Sequence, residues 1–406
     1  MKKRITAKQA AFLLPLFLLL AVFAIYPIVT SVVYSLFDYR TNDQTVAGLY
    51  TGSNFNAPLF TEDCGYVTWY LEDEVTLLPE ADAEEMQGIM DEVTALAEPY
   101  AEVKEVIGMS NKDAELLRSR LTDLRTRLTA IFERNQDVEF YNGLETQTTL
   151  FDEMDGCFIQ SNFTGLAAYK KLLSDTRFGD SLKSTLLFTV VSVFFELCLG
   201  MGLALIMNKA IKGIGIVRTT ALIPWAIPTA VSALMWSYMY DGSSGIVAKV
   251  FADLGFIAAP EQMLLSASGA MTAAILADVW KTTPYMALLL LAGLQIIDAG
   301  LYESAMVDGA GPIRTFFSVT LPLLKPSMLV ALLFRTLDAF RVYDLIAVLT
   351  GGAQGTETLS IYAYKLMIGQ SNYGYGSAVV LAMAVCVAII AFIFVKVLGA
   401  ELISDD

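Results

Sequence analysis

Six long apolar runs alternate with polar stretches along the chain, at about residues 10–37, 182–207, 216–240, 272–296, 323–349 and 377–398. Each reaches or exceeds the roughly 20 residues that a helix needs to cross a bilayer. The pattern therefore predicts an all-α integral membrane protein built on a six-helix transmembrane bundle. Residues 1–38 form a tail and the first span, and residues 181–406 the five-helix core. Between them, residues 39–180 are polar and too long to be a simple connector.

A second pattern lies inside that insertion. Over about 80–107, apolar residues recur at Met86, Ile89, Val93, Leu96, Tyr100, Val103 and Ile107. Over about 111–135 they recur at Leu117, Leu121, Leu124, Leu128 and Ile131. Steps of three and four mark one face of a helix, so an antiparallel helical hairpin is expected over about 80–135. Ser110, three residues before Asp113, is placed to cap the second arm. Pro99 should bend or interrupt the first.

Charge sharpens the division. The 406 residues are 55% hydrophobic and carry a net charge of -15. Residues 38–180 hold 28 acidic and 11 basic side chains, so the insertion carries all of the excess and the remainder is slightly basic. No clustered basic patch offers a nucleic acid a surface. Lys2, Lys3, Arg4 and Lys8 precede the first run, and Lys209, Lys212 and Arg218 lie between the second and third. Short-loop Lys and Arg mark the cytoplasmic side. Both termini are therefore expected inside the cell and the insertion outside. The first run is too long for a cleaved signal sequence and reads as a retained helix.

The chemistry available is narrow. There is no histidine, the four cysteines lack metal-ligand spacing, and no phosphate-binding GxxxxGK[ST] loop occurs. No metal or cofactor is expected in this chain. Cys64 and Cys157 flank the hairpin and are candidates for a disulfide on the oxidising side. Asn162-Phe163-Thr164 forms a sequon there.

Seven charges (Glu196, Asp278, Lys281, Arg335, Asp338, Arg341 and Asp344) fall within or at the edge of spans, where ionisable groups are costly and face a bundle interior or an aqueous cavity. Arg335–Asp338 and Arg341–Asp344 are spaced to pair along one helix. A candidate translocation path comprises Glu196, Trp280, Tyr285, Arg335, Asp338, Arg341, Tyr343 and Asp344. The bland alternative is that these charges only lock helices together.

The loop at about 297–322 carries a longer signature. Glu303-Ser304-Ala305-Met306-Val307-Asp308-Gly309 is followed, ten positions after Gly309, by Val319-Thr320-Leu321-Pro322. This resembles the EAA motif, E-A-A-x3-G-x9-I-x-L-P, of permease subunits of binding-protein-dependent ABC importers for sugars, of the maltose or glycerol-3-phosphate type. Ser304 and Val319 are mild departures. Flanking stretches agree, among them Asp278-Val279-Trp280, Leu291-Ala292-Gly293-Leu294-Gln295, Phe340-Arg341-Val342-Tyr343-Asp344 and Leu349-Thr350-Gly351-Gly352. The resemblance covers the first span and about 163 to the end, and leaves out about 39–160.

The resemblance implies a coupling helix, with Glu303, Ser304, Ala305, Asp308, Gly309, Leu321 and Pro322 seated against an ATPase. It also implies a bacterial or archaeal cytoplasmic membrane, a second homologous permease, two ATPase subunits holding ATP and Mg, and an external substrate-binding protein delivering a di- or oligosaccharide. The chain itself would catalyse no covalent step. The rivals are an ion-coupled secondary transporter using Glu196 or Asp278, and a non-transporting receptor with an acidic ectodomain.

Overall fold

The computed structural model describes residues 7–209 and 213–399. The chain divides into two compact units. One comprises residues 1–32, 168–369 and 376–406, and the other residues 33–167 and 370–375. The first apolar helix, α1 (Leu14–Tyr34), has no buried residue along its length. It exposes Phe17, Phe23, Tyr26 and Ile28, a surface suited to lipid or to another apolar helix.

The smaller unit is a four-helix bundle pinned by a short sheet. Strands β1 (Asn54–Asn56), β2 (Val106–Gly108) and β3 (Phe158–Ile159) pair antiparallel in the order β2-β1-β3. Helices α2 (Ala57–Val75), α3 (Glu80–Ala97), α4 (Asn111–Arg134) and α5 (Gly143–Gly156) each pack on two others, closing a ring. The heptad-like residues Met86, Ile89, Val93, Leu117, Leu121, Leu124, Leu128 and Ile131 line its core, joined by Phe60, Val67 and Leu71 from α2 and Leu150, Phe151 and Met154 from α5.

Two details differ from the sequence reading. The first hairpin arm stops at Ala97 in a 3-10 turn containing Pro99, and Val106 and Ile107 are strand, not helix. The hairpin is half of a bundle, because α2 and α5 supply the other two walls. Ser110 caps α4, its hydroxyl accepting from the Asp113 amide at 3.2 Å.

Buried polar groups in this unit are answered locally. The carboxylate of fully buried Glu74 accepts from the amides of Tyr141 at 3.0 Å and Asn142 at 2.6 Å, placing a negative charge where α5 begins. Asn162 is 6% exposed; its amide donates to the carbonyls of Asp38 and Gly48 and accepts from the Tyr50 amide. That side chain holds three loops together, so the sequon is not presented to solvent.

Cys64 and Cys157 share the core but are free thiols, so the expected disulfide is not made. Cys64 Sγ lies 3.6 Å from the Met154 sulfur, and the Cys157 thiol faces Asp63 Oδ2 at 3.8 Å. Burial pushes Cys64 up to about 12, far from the thiolate needed for exchange.

Burial, then the neighbouring Glu153 and Glu62, also pushes the Asp63 carboxyl up to about 6 from 3.8. The folded state thus favours the protonated acid. The resulting stabilisation is complete below about pH 4 and is lost as pH rises through about 6, roughly 3 kcal/mol in all. Asp63→Asn should therefore raise the protection of α2 and α5 amides at pH 7.5 and flatten their pH dependence. Hydrogen exchange on the purified full chain reads this directly.

The larger unit is built on α6 (Thr176–Met207), α9 (Ala267–Leu294) and α11 (Pro312–Phe340), each in contact with the other two. Small residues set the spacing. A Cβ on Gly200 would meet Met286 Cγ at 2.8 Å, and one on Gly293 would meet Ser327 Cβ at 2.5 Å, so helices approach closely there.

The third apolar run is not one helix. It forms α7 (Ile214–Ala226) and α8 (Thr229–Met239), bent by 87°. Pro228 removes an amide donor and holds Ile227 extended, at ψ 133°.

The fifth run begins about eleven residues earlier than expected, at Pro312. Pro322 does not stop it, because a π-turn at Phe316–Thr320 absorbs the missing amide. Downstream lie α10 (Ala299–Val307) before that helix, and α12 (Asp344–Leu349), α13 (Leu359–Tyr364) and α14 (Tyr373–Lys396) after it.

Candidate functional site: a buried charge cluster and an exposed helical loop

Three helices contribute one charge each to a dry cluster. Arg335 of α11 is 1% exposed, Glu196 of α6 is 0% and Asp278 of α9 is 7%. Arg335 grips Glu196 with two nitrogens, Nε at 2.5 Å and Nη2 at 2.9 Å. Nη2 also donates to Asp278, and Nη1 reaches Asp338 at 3.0 Å, one turn along α11. A guanidinium suits this role because its planar fork serves several carboxylates at once. The cluster ties the three core helices together at membrane depth.

Beside it opens a cavity of about 250 Å³, lined by Trp225, Thr229, Asp278, Lys281, Arg335, Asp338, Arg341, Tyr343 and Asp344 among others. Of the residues expected on the path, Arg335, Asp338, Arg341, Tyr343 and Asp344 line this cavity. Glu196 stands behind Arg335. Tyr285 stacks on Trp225, with ring centroids 5.4 Å apart and planes within 12°. Trp280 instead packs edge-on against Trp236 at 5.6 Å.

Arg335–Asp338 pair as their spacing predicts. Arg341 and Asp344 do not: among the described residues no ion pair joins them, and Arg341 Nε donates to the Leu337 carbonyl at 3.1 Å. The helix ends at Arg341, where ψ is 17°, so the three-residue spacing no longer places the two on one face.

Sequence reasoning left Trp225, Thr229 and Lys281 off the path. The sequence marks Lys281 only as a charge in a span. Its ammonium donates to the carbonyls of Ile227 at 2.7 Å and Trp225 at 3.3 Å, at the break between α7 and α8.

The loop at 297–322 forms a second feature. Asp298 caps α10, its carboxylate accepting from the Gly300 amide at 2.8 Å. Glu303, Ser304 and Ala305 ride on α10, and Asp308 is its C-terminal cap. Gly309 follows with φ +74°, a left-handed conformation that ends helices and favours glycine. The Ala310 amide donates back to Ala305 at 2.9 Å. Leu321 and Pro322 open the straight part of α11. Met306, Val307, Ile313 and Phe317 are exposed around this turn, which borders an apolar groove of about 750 Å³. Among the described residues no cluster of His, Cys, Asp or Glu could hold a metal ion.

Apolar membrane-length helices, a buried charge cluster beside a polar cavity, and a capped helix ending on an exposed turn define a multi-pass membrane permease. The chain belongs to the family described as binding-protein-dependent transport system inner membrane component, which it matches over residues 196–402. It is 45% identical over 237 residues to a trehalose/maltose transport system permease protein of Thermococcus litoralis, covering 58% of this chain and 79% of that one. It is 44% identical over 238 residues to a trehalose transport system permease protein of Mycobacterium tuberculosis, covering 59% and 76%. A sulfoquinovosyl glycerol transport system permease protein of Agrobacterium fabrum is 39% identical over 236 residues, covering 56% and 75%. A solved bacterial ABC transporter that imports the acidic polysaccharide alginate shares the fold, with a TM-score of 0.53 and 23% identity over 59% of this chain and 85% of that one.

Proposed function

We propose that this chain is the translocating permease subunit of an ATP-driven importer for a di- or oligosaccharide. The observation that carries the reading is the Glu303–Gly309 element: a capped helix ending on a left-handed glycine, with apolar side chains exposed around it. An exposed apolar face of this kind fits a protein partner. Permease relatives whose names specify trehalose, maltose and sulfoquinovosyl glycerol support the substrate class.

In this reading α10 seats on an ATPase subunit that holds ATP and Mg, and this chain carries out no covalent chemistry. The complex contains a second, homologous permease, two ATPase subunits and an external binding protein that delivers the sugar. Both termini face the cytoplasm, the insertion faces outward, and the cavity beside Arg335 belongs to the translocation path. Sugar recognition commonly combines an aromatic face with a few polar groups. Trp225, Tyr343 and the charged wall supply both.

An ion-coupled mechanism is less well served. Glu196 and Asp278, its candidate proton sites, are both committed to Arg335. The test is copurification of the tagged chain from its native membrane, followed by sugar uptake in proteoliposomes. An ATPase should be recovered with it, and uptake should require ATP inside the vesicle. Recovery without an ATPase, or uptake driven by an ion gradient alone, would overturn the reading.

A further inference from the structure

The break in the third span is completed by a side chain from a different helix. At the end of α7 the 87° bend leaves last-turn carbonyls without the amides that a continuing helix would supply, and Pro228 has no amide to give. Bare carbonyls at membrane depth are costly because no bulk water replaces the lost donors. Lys281, 7% exposed on α9, donates to two of them, Ile227 O and Trp225 O. Its charge is not stranded, since Asp278 and Asp338 line the same cavity.

Trp225, one of the two residues whose carbonyls are held, also lines the cavity, and its ring stacks on Tyr285. The ammonium therefore fixes the backbone that aims the aromatic wall. A helix broken by proline could pivot at this point, and a two-carbonyl clamp removes that freedom.

We propose that Lys281 is a positioning residue for sugar recognition: by clamping the broken end of α7 it sets the Trp225 indole as the flat face on which a pyranose ring packs. This rests on the sugar-import reading above. A neutral side chain of similar length, Lys281→Met, keeps the packing but loses both donors. Lys281→Arg keeps a charged donor and should restore function.

Two measurements on the complete transporter decide the matter. The first is hydrogen exchange of the peptide spanning residues 222–232, which needs no sugar. Lys281→Met should speed exchange there by about tenfold or more, and Lys281→Arg should not. The second is uptake of radiolabelled trehalose and maltose into proteoliposomes. Lys281→Met should raise KM by about tenfold with Vmax within about twofold of wild type, the signature of lost ground-state recognition.

Unchanged exchange in Lys281→Met overturns the proposal. So does a fall in Vmax at constant KM, which a purely structural role would give. If Lys281→Met does not accumulate, Lys281→Gln, one atom shorter and poorly placed to reach both carbonyls, should give an intermediate KM and faster exchange at residues 222–232, and wild-type values of both overturn the clamp. A wild-type transporter that carries neither sugar refutes the sugar reading, while the exchange measurement still decides whether Lys281 clamps the break.

Discussion

Arg335→Met is expected to remove most of the chain from the membrane. The substitution leaves Glu196 and Asp278, both buried, facing each other with no cation between them. Breaking a buried ion pair from one side costs about 3–5 kcal/mol, because the surviving charge stays desolvated. With two carboxylates left behind, the cost is at the upper end of that range. Steady-state level on an immunoblot, and recovery as a monodisperse peak in detergent, should fall about tenfold or more.

The complementary variant makes the argument specific. Arg335→Met combined with Glu196→Gln and Asp278→Asn removes every charge of the trio and should recover most of the lost protein. Arg335→Lys should be intermediate, since a point charge cannot make the two-nitrogen contact with Glu196 and reach Asp278 as well. A single Arg335→Met variant that accumulates normally would show that the cluster is not what joins α6, α9 and α11.

Gly309→Val should have the second largest effect, on transport and not on accumulation. At φ +74° a β-branched side chain is strained by about 1–3 kcal/mol. No atom lies within 4 Å of a Cβ built there, so the strain is in the backbone and not in packing. Opening the turn after α10 would relieve it and displace Glu303 and Asp308, which in the proposed function face the ATPase. Uptake should drop by about a hundredfold, the scale of a coupling free energy of roughly 3 kcal/mol. Membrane level should stay near wild type, and ATP hydrolysis by the assembled transporter should lose its dependence on the loaded binding protein. Gly309→Asn, which tolerates the left-handed region better, should retain more uptake.

What the sequence discloses is what repeats locally. The apolar runs give the spans, because twenty uncharged residues have few alternatives. The steps of three and four give α3 and α4, because a buried stripe must recur with the helical period. Arg335–Asp338 is legible for the same reason.

The larger misses need information from distant residues. Arg335 meets Glu196 across 139 positions and Asp278 across 57, and no spacing rule links them. Lys281 answers to backbone carbonyls, which every sequence has everywhere. The bundle partners α2 and α5 carry enough Glu and Asp on their outer faces to look like linker until the core is seen. Pro228 and Pro322 are two prolines in apolar context with opposite outcomes. One bends a span by 87° and the other is absorbed by a π-turn.

The smaller unit is assembled from two stretches of chain that lie far apart in sequence. Residues 370–375 belong to it together with residues 33–167. Arg40 bridges to Asn372, and the Gly374 amide donates to the Tyr39 carbonyl at 3.0 Å. At Gly374 any Cβ would lie 2.2 Å from the Phe37 carbonyl oxygen, so the strap is threaded through a gap that only glycine fits. During synthesis, then, the four helices of the bundle can assemble early, but the segment at residues 37–41 gains its strap only once residues 371–374 have been made. By that time four of the five membrane spans that follow the bundle have been synthesised, counting the bent pair as one. A chain truncated before that point would keep its four-helix ring but leave residues 37–41 without their pairing partner.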